Sequence, residues 1–249
     1  MYDFGNEVIL FLQEISYTWA ALLFLIENLL IFTCSVCIGN LLAKRYAHRR
    51  IVPVPPPKIE PKEILLAIST ILLNTFITLL GLWLWRTGSI HFRSDTGIFA
   101  LVDILILLFV MDAGMYLLHR IAHIPFIYRF AHRTHHRYDN PRPLTLFVLN
   151  PFEALGFGAL WLLVIRIYDS SWLGMSFYLG VNVVFGMIGH LGVEPLSEKW
   201  LRSHLFNVLT TSTFHARHHL EEDYNFGFYT SLWDRFFGTL YPENSRSQD

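Results

Sequence analysis

Apolar residues run along this chain in long blocks separated by short polar stretches. Residues 18–43 form the first block, 64–85 the second and 97–118 the third. Each reaches the roughly 20 residues that a helix needs to cross a bilayer. Two further blocks, 144–168 and 172–190, are separated only by Asp169-Ser170-Ser171. They predict a tight helical hairpin that dips through the bilayer and returns, with Arg166 and Asp169 at its far apex. The pattern predicts an all-α integral membrane protein with about four to five transmembrane helices.

The polar intervals orient these blocks. Lys44, Arg45, His48, Arg49 and Arg50 form a dense basic cluster after the first block, which the positive-inside tendency places in the cytoplasm. His48 belongs to that solvated patch. Residues 52–61 carry Pro53, Pro55, Pro56, Pro57 and Pro61 and predict a stiff extended linker. Trp83 and Trp85 end the second block at the level of an aromatic belt. The loop 86–96 is then non-cytoplasmic, and His91 within it has no metal role. Glu27 and Asn28 fall mid-block, so they face protein or water, or else the first block is a shallow interfacial helix. From Leu191 onward the chain turns polar, with Glu194, Lys199 and Arg202. The expected organisation is an N-terminal helix with basic cluster and linker (1–61), a membrane-embedded unit (62–241) and a short polar tail (242–249).

Composition agrees with a membrane chain. Of 249 residues, 53% are hydrophobic and 16% charged, and mean hydropathy is +0.39. A net charge of -1 points to no nucleic-acid partner. Cys34 and Cys37 mimic a redox or zinc spacing, but they stand in an apolar run without a second pair and are expected to be small packing residues. Acidic Asp3 and Glu7 replace the basic n-region of a cleavable signal peptide, so none is expected.

The chemistry lies in three histidine boxes: His119-x-x-x-His123, His132-x-x-His135-His136 and His215-x-x-His218-His219, together eight of the 12 histidines. Helical residues three and four apart share a face. His119 and His123 are therefore expected to converge, and so are His132, His135 and His136. Neutral imidazole is the commonest protein metal ligand, and helix bundles build metal sites from such pairs. Eight ligands exceed the roughly four to six that one ion takes, so two ions are expected. The bland reading is a set of solvated histidines beside Arg120, Arg129, Arg133 and Arg137. Two boxes of identical spacing argue against it.

An all-histidine shell around two divalent ions needs carboxylates nearby. Asp112, Glu153, Glu194 and Asp234 are the candidates. Asp112, Tyr116, His119 and His123 step by four, three and four residues, so Asp112 is expected to orient a ligand imidazole. His190 stands four residues before Glu194 and is the expected ninth ligand, with Glu194 or water as a tenth. His204 has no partner at ligand spacing. Ligand type does not choose among zinc, copper, iron and nickel. All the boxes fall on the same face as the 44–50 cluster, so the expected architecture is a cytoplasm-facing, histidine-rich di-metal helical cap over the transmembrane helices.

The order of boxes, with an isolated histidine between the second and third, resembles the fatty acid hydroxylase / sterol desaturase superfamily of integral-membrane di-iron enzymes. Asp112 and Tyr116 before the first box, Tyr128-Arg129-Phe130 before the second, Asn150-Pro151-Phe152-Glu153 after it, and the closing Asn225-Phe226-Gly227 and Trp233-Asp234-Arg235-Phe236-Phe237-Gly238-Thr239 are similar to that family over residues 101–241. The three-residue gap in the first box is similar to sterol-desaturase-type members. Where some relatives carry a second histidine after the isolated one, this chain has Glu194. The resemblance implies two non-haem iron ions, dioxygen as co-substrate, and hydroxylation or desaturation of a sterol-like or fatty acyl lipid drawn from the bilayer. It also implies electrons from a separate small haem protein, ferredoxin or reductase, since no haem- or flavin-binding segment is evident. Phe147, Phe152, Phe157 and Trp161 are expected to line the lipid's path. Two other classes compete: a membrane zinc-dependent hydrolase with Glu194 as base, and a non-enzymatic metal-binding or transport protein, whose ligands should sit near mid-membrane.

Overall fold

In the computed structural model, residues 4–201, 203 and 207–242 are described. Arg202, His204 and the tail from 243 lie outside them. The described residues form helices and irregular segments, with isolated bridges Arg50–Val193, Arg93–Ser171 and Leu209–Thr230 in place of strands.

Helix α1 (Phe4–Glu14) is followed by α2 (Tyr17–Arg45), α3 (Pro61–Arg86) and α4 (Ile98–Ala122). The second box lies on a short turn α5 (Pro125–Ile127), a π-helical stretch (Tyr128–His132) and α6 (Arg133–His136). Helices α7 (Pro151–Ile167) and α8 (Trp172–Gly189) form the hairpin. Short helices α9 (Glu198–Leu201), α10 (Ser212–Leu220) and α11 (Leu232–Phe237) complete the cap. Helices α2, α3, α4 and α8 are long and apolar enough to cross a membrane, so the chain is a multi-pass, all-helical membrane protein.

The first arm of the hairpin is shorter than its apolar block. A 3-10 turn (Pro143–Phe147) occupies the start of the block, and the helix begins only at Pro151. Proline lacks an N–H and disfavours helix in the residue before it. Asn150 instead caps the helix, accepting from Phe152 N at 3.0 Å. The 17 residues of α7 span about 25 Å, short of the ~30 Å hydrocarbon layer.

One other expectation changes. Cys34 and Cys37 are exposed and face outward from α2, which lies at the edge of the bundle, so they are not packing residues. The proline stretch is helix-free from residue 51 to 60, in keeping with the expected extended linker, and it is tied down along its length. Ile51 N donates to Gly192 O at 3.3 Å, Asn140 Nδ2 to Val54 O at 2.8 Å, and Arg142 to Pro57 O. The linker is thus strapped across the cap. It ends where Pro61 starts α3, with Glu60 N donating to Glu63 Oε1 at 2.7 Å.

At one end of the bundle lie the end of α2, the start of α3, the end of α4, the start of α7 and the end of α8. That end carries the cap. At the other end, Arg86 donates to Leu12 O and Ile15 O, Arg93 pairs with the buried Asp103 at 2.9 Å, and Trp85 and Phe92 pack on Trp172. Between them, Leu107, Met111 and Met115 of α4 meet Val164, Tyr178 and Tyr229. Lipid tails are as apolar as these side chains, so close packing rather than escape from water holds such helices together. Gly158 shows the fit: a Cβ there would lie 2.6 Å from Ile77 Cγ1.

Candidate metal centre

Nine histidines come together at the cap end of the bundle. They sort into two groups, each with ligand atoms within 4.8 Å of one another: His119, His123, His132, His136 and His218 in one, and His135, His190, His215 and His219 in the other. These are the nine histidines singled out in the sequence. His91 and His48 belong to neither group.

The grouping does not follow the boxes. His132, His135 and His136 do not converge on one point. In each three-histidine box the first and last residues, four apart, share a group, while the middle one crosses to the other. Box two sends His135 to the second group, and box three sends His218 to the first. Residues four apart lie nearly above one another on a helix, whereas adjacent ones diverge by about 100°. Each box therefore holds both groups at once. His136 and His219 rings stand 4.8 Å apart across the boundary.

Proton positions follow from the neighbours. His119 Nδ1 lies 2.9 Å from Phe226 O, His190 Nδ1 2.8 Å from Gly186 O, and His218 Nδ1 2.6 Å from Tyr224 O. A carbonyl only accepts, so each Nδ1 carries the proton. A neutral imidazole has one N–H, so each Nε2 presents a lone pair. His132 Nδ1 meets Glu153 Oε1 at 2.8 Å; burial pushes the Glu153 carboxyl well above the usual carboxylate range, so His132 follows suit with Glu153 ionised, the form that a cation at this site favours. Yet His119 Nε2 is 3.1 Å from His132 Nε2, and His136 Nε2 is 3.0 Å from His132 Nε2 and 3.1 Å from His218 Nε2. In the second group His215 Nε2 lies 3.2 Å from His190 Nε2 and 3.1 Å from His219 Nε2. His119 and His132 face each other lone pair to lone pair, an arrangement that calls for a cation. Two nitrogens each about 2.1 Å from one ion, at right angles, stand about 3.0 Å apart. His123 Nε2, buried without a hydrogen-bond partner, is a further atom in the first group that could serve as a ligand. The residues fit a two-metal centre.

Burial, and after it the neighbouring imidazoles, lowers the pKa of His135, His218 and His219 well below the ordinary histidine value. Burial first, then nearby charge, brings His123 to about 2 and His136 to about 3. These rings are neutral at pH 7, the form that binds metal.

The four carboxylates divide. Glu153 touches a histidine, as described. Asp112 does not orient an imidazole: it accepts from Tyr229 N at 2.9 Å and Thr230 N at 3.1 Å. Asp234 accepts from Phe226 N and Gly227 N at 2.8 Å each, and so holds the loop whose Phe226 carbonyl meets His119. Glu194 stands outside both groups. It accepts from Leu196 N at 3.1 Å, and from Thr213 N and Oγ1 at 3.1 and 2.8 Å, at the start of α10. Asp112, Asp234 and Glu194 serve backbone N–H groups because the cap is irregular and these donors need acceptors.

Glu222 was missed in the sequence. Its Oε1 accepts from Tyr128 OH at 2.7 Å and lies 3.6 Å from His136 Nδ1. Its place three residues after His219 was the available signal. Gly192, just beyond His190, has φ +68°, and a Cβ there would lie 2.3 Å from Pro141 O. Only glycine lets the chain turn there and seat His190. Among the aromatic residues expected to line a lipid path, Phe147 is buried, Phe157 packs on the α4 core, and Trp161 stacks on Tyr178 at 5.0 Å. Phe152 points outward, 70% exposed.

Fold and site together define a multi-pass helical membrane protein with a paired histidine centre at one membrane face. The family model described as fatty acid hydroxylase matches residues 104–239, more than half of the chain, and the protein belongs to that family, within the fatty acid hydroxylase/sterol desaturase superfamily. A Candida glabrata delta(7)-sterol 5(6)-desaturase is 29% identical over 195 residues, 74% of this chain and 50% of the relative. Human lathosterol oxidase is 30% identical over 152 residues, 58% of this chain and 47% of the relative. Chicken methylsterol monooxygenase 1 is 27% identical over 145 residues, 56% of this chain and 48% of the relative. The matches thus span about half the length of these relatives. No solved structure matches the chain.

Proposed function

We propose that this protein is a membrane-bound non-haem di-iron oxidoreductase that uses dioxygen and external electrons to hydroxylate or desaturate a sterol-like or fatty acyl lipid. The observation that carries this reading is the set of Nε2 lone pairs turned on one another at about 3 Å, the spacing of nitrogens around a shared ion. His119, His123, His132, His136 and His218 would hold one iron, and His135, His190, His215 and His219 the other. The bound pair would supply oxidation of an unactivated C–H bond with dioxygen.

The protein's own part is placement. The carbonyls of Phe226, Gly186 and Tyr224 fix three imidazoles by their Nδ1–H, and Glu153 fixes a fourth, as ligands need. The cap buries the centre and excludes water. The catalytic unit is 62–241, and a separate electron-donor protein serves it. The names of the relatives, a sterol desaturase, a lathosterol oxidase and a methylsterol monooxygenase, support lipid oxidation. The 44–50 basic cluster supports a centre facing the cytoplasm, since Arg49 O accepts from Glu194 N at 3.0 Å and so lies beside the cap.

The competing classes lose their support here. Glu194, the base a zinc hydrolase would use, is occupied by backbone and Thr213. A transporter's ligands belong near mid-membrane, whereas His119 stands in the last turn of α4. Elemental analysis of anaerobically purified protein, with lipid analysis under heavy dioxygen, tests the proposal. The expected result is two irons per chain and label in a hydroxylated lipid, or a lipid two mass units lighter. Zinc alone, with label entering only from water, refutes it.

A further inference from the structure

Outside the centre, the second box carries a groove of about 580 Å³ whose walls include Lys62, Arg129, Arg133 and Arg137, with Tyr128 and His136 on the inner side. The three arginines step by four residues and all are exposed, whereas His132 and His136 of the same segment are buried. Among the described residues, only Arg137 of the four cations has a carboxylate in reach, Glu60 at 3.2 Å. Among the described residues, Lys62, Arg129 and Arg133 therefore make no ion pair, and Glu222, on the inner side with Tyr128, pairs with none of them.

An apolar surface runs up to this row. Leu117, Ile121 and Ile124, at the end of α4 and just past it, are exposed. Beyond them Phe126 and Phe130 are 73% and 61% exposed with ring centroids 5.2 Å apart. Lys62 stands in the first turn of the spanning helix α3, at the same membrane boundary. An apolar belt that continues from a spanning helix onto aromatic rings and stops at unpaired cations is the pattern of a segment lying in the membrane interface. Negative lipid headgroups are the counterions available at that depth.

We propose that this face binds anionic phospholipids: Phe126 and Phe130 seat among the acyl chains, while Arg129, Arg133 and Lys62 hold the headgroups. The inference rests on the membrane-spanning architecture and not on the chemistry of the metal centre. An acidic soluble protein would also satisfy the charge, but it would not account for exposed phenylalanines continuous with the lipid-facing belt. The consequence is that the outer wall of the first histidine group is a lipid-bound wall.

The full chain, reconstituted in phosphatidylcholine bilayers, is probed with spin-labelled phosphatidylserine or phosphatidylcholine, and the motionally restricted fraction is read for each. The expected result is a preference for phosphatidylserine that weakens with salt. Arg129→Gln/Arg133→Gln should lower it, by roughly five-fold per charge at this site, whereas Arg129→Lys/Arg133→Lys should keep it, which separates charge loss from misfolding. Phe126→Ser/Phe130→Ser should reduce restriction of both lipids. Equal restriction of the two lipids by the wild type overturns the proposal. So does a preference that survives the Gln pair or is lost in the Lys pair. Displacement of labelled phosphatidylserine by inorganic phosphate, beyond a chloride control of equal ionic strength, assigns the groove to a soluble anion and also overturns it.

Discussion

Replacing His215 together with one or the other of its box partners distinguishes a centre built by tertiary grouping from one built box by box. His215 and His219 lie in the four-histidine group, whereas His218 lies with His119 and His132. His215→Ala/His219→Ala therefore leaves the second group with two ligands and the first intact. His215→Ala/His218→Ala takes one ligand from each. Four-ligand metal sites bind with about 10–16 kcal/mol, so one ligand is worth roughly 3–4 kcal/mol, a few hundredfold in affinity. Loss of two ligands from one site then costs roughly 6–8 kcal/mol, on the order of 10⁵ in affinity, and empties it. Metal titration of both variants, with total metal per chain by elemental analysis, is the assay. The His215/His219 pair should hold one ion at wild-type affinity, and the His215/His218 pair two ions, both weakened. If both variants lose one ion and keep the other unchanged, the reasoning about crossing residues is wrong.

Three further outcomes follow from the geometry. Glu153→Gln should weaken metal binding by about 10–100-fold while the protein stays folded, because it removes the carboxyl that a bound cation would hold ionised against His132 Nδ1–H; unchanged affinity in metal titration would remove Glu153 from the site. Metal retention should fall on acidification. The imidazole pKa values are depressed by burial, to about 3 for His136 and about 2 for His123, below the unfolded value of about 6.5. Depressed groups stabilise the folded state above that value, and this contribution is lost as pH drops from about 6.5 toward the folded values; dialysis at stepped pH with elemental analysis reads it, and retention independent of pH would contradict it. Gly192→Ala should lower the midpoint of thermal unfolding in detergent, since its Cβ would overlap Pro141 O, and an unchanged midpoint would show that the turn relaxes freely.

Periodicity and length alone determined the membrane class of this protein, because spanning a bilayer requires a long apolar run whatever surrounds it. The same holds for the identity of the clustered histidines. Spacing of three and four is a local property of a helix, and it was legible as His119/His123, His132/His136 and His215/His219. The partition of the boxes was not. Whether His135 and His218 join their neighbours or cross over depends on which helix faces each side, and that is set by packing of α4, α6, α8 and α10 around one another. The carboxylates show the same limit. Glu153, two residues after a helix-starting proline, does meet a histidine, but Asp234 is claimed by the nearby Phe226 and Gly227 N–H groups, and Glu194 and Asp112 by backbone N–H groups 19 and 117 residues away. A side chain's partner across such separations is decided by where the chain returns, which no local pattern encodes. Pro151 is the intermediate case. Its stop to the helix was readable as a rule of backbone chemistry, but the apolar content of 144–150 hid it until the structure showed that block to be a turn and not a span.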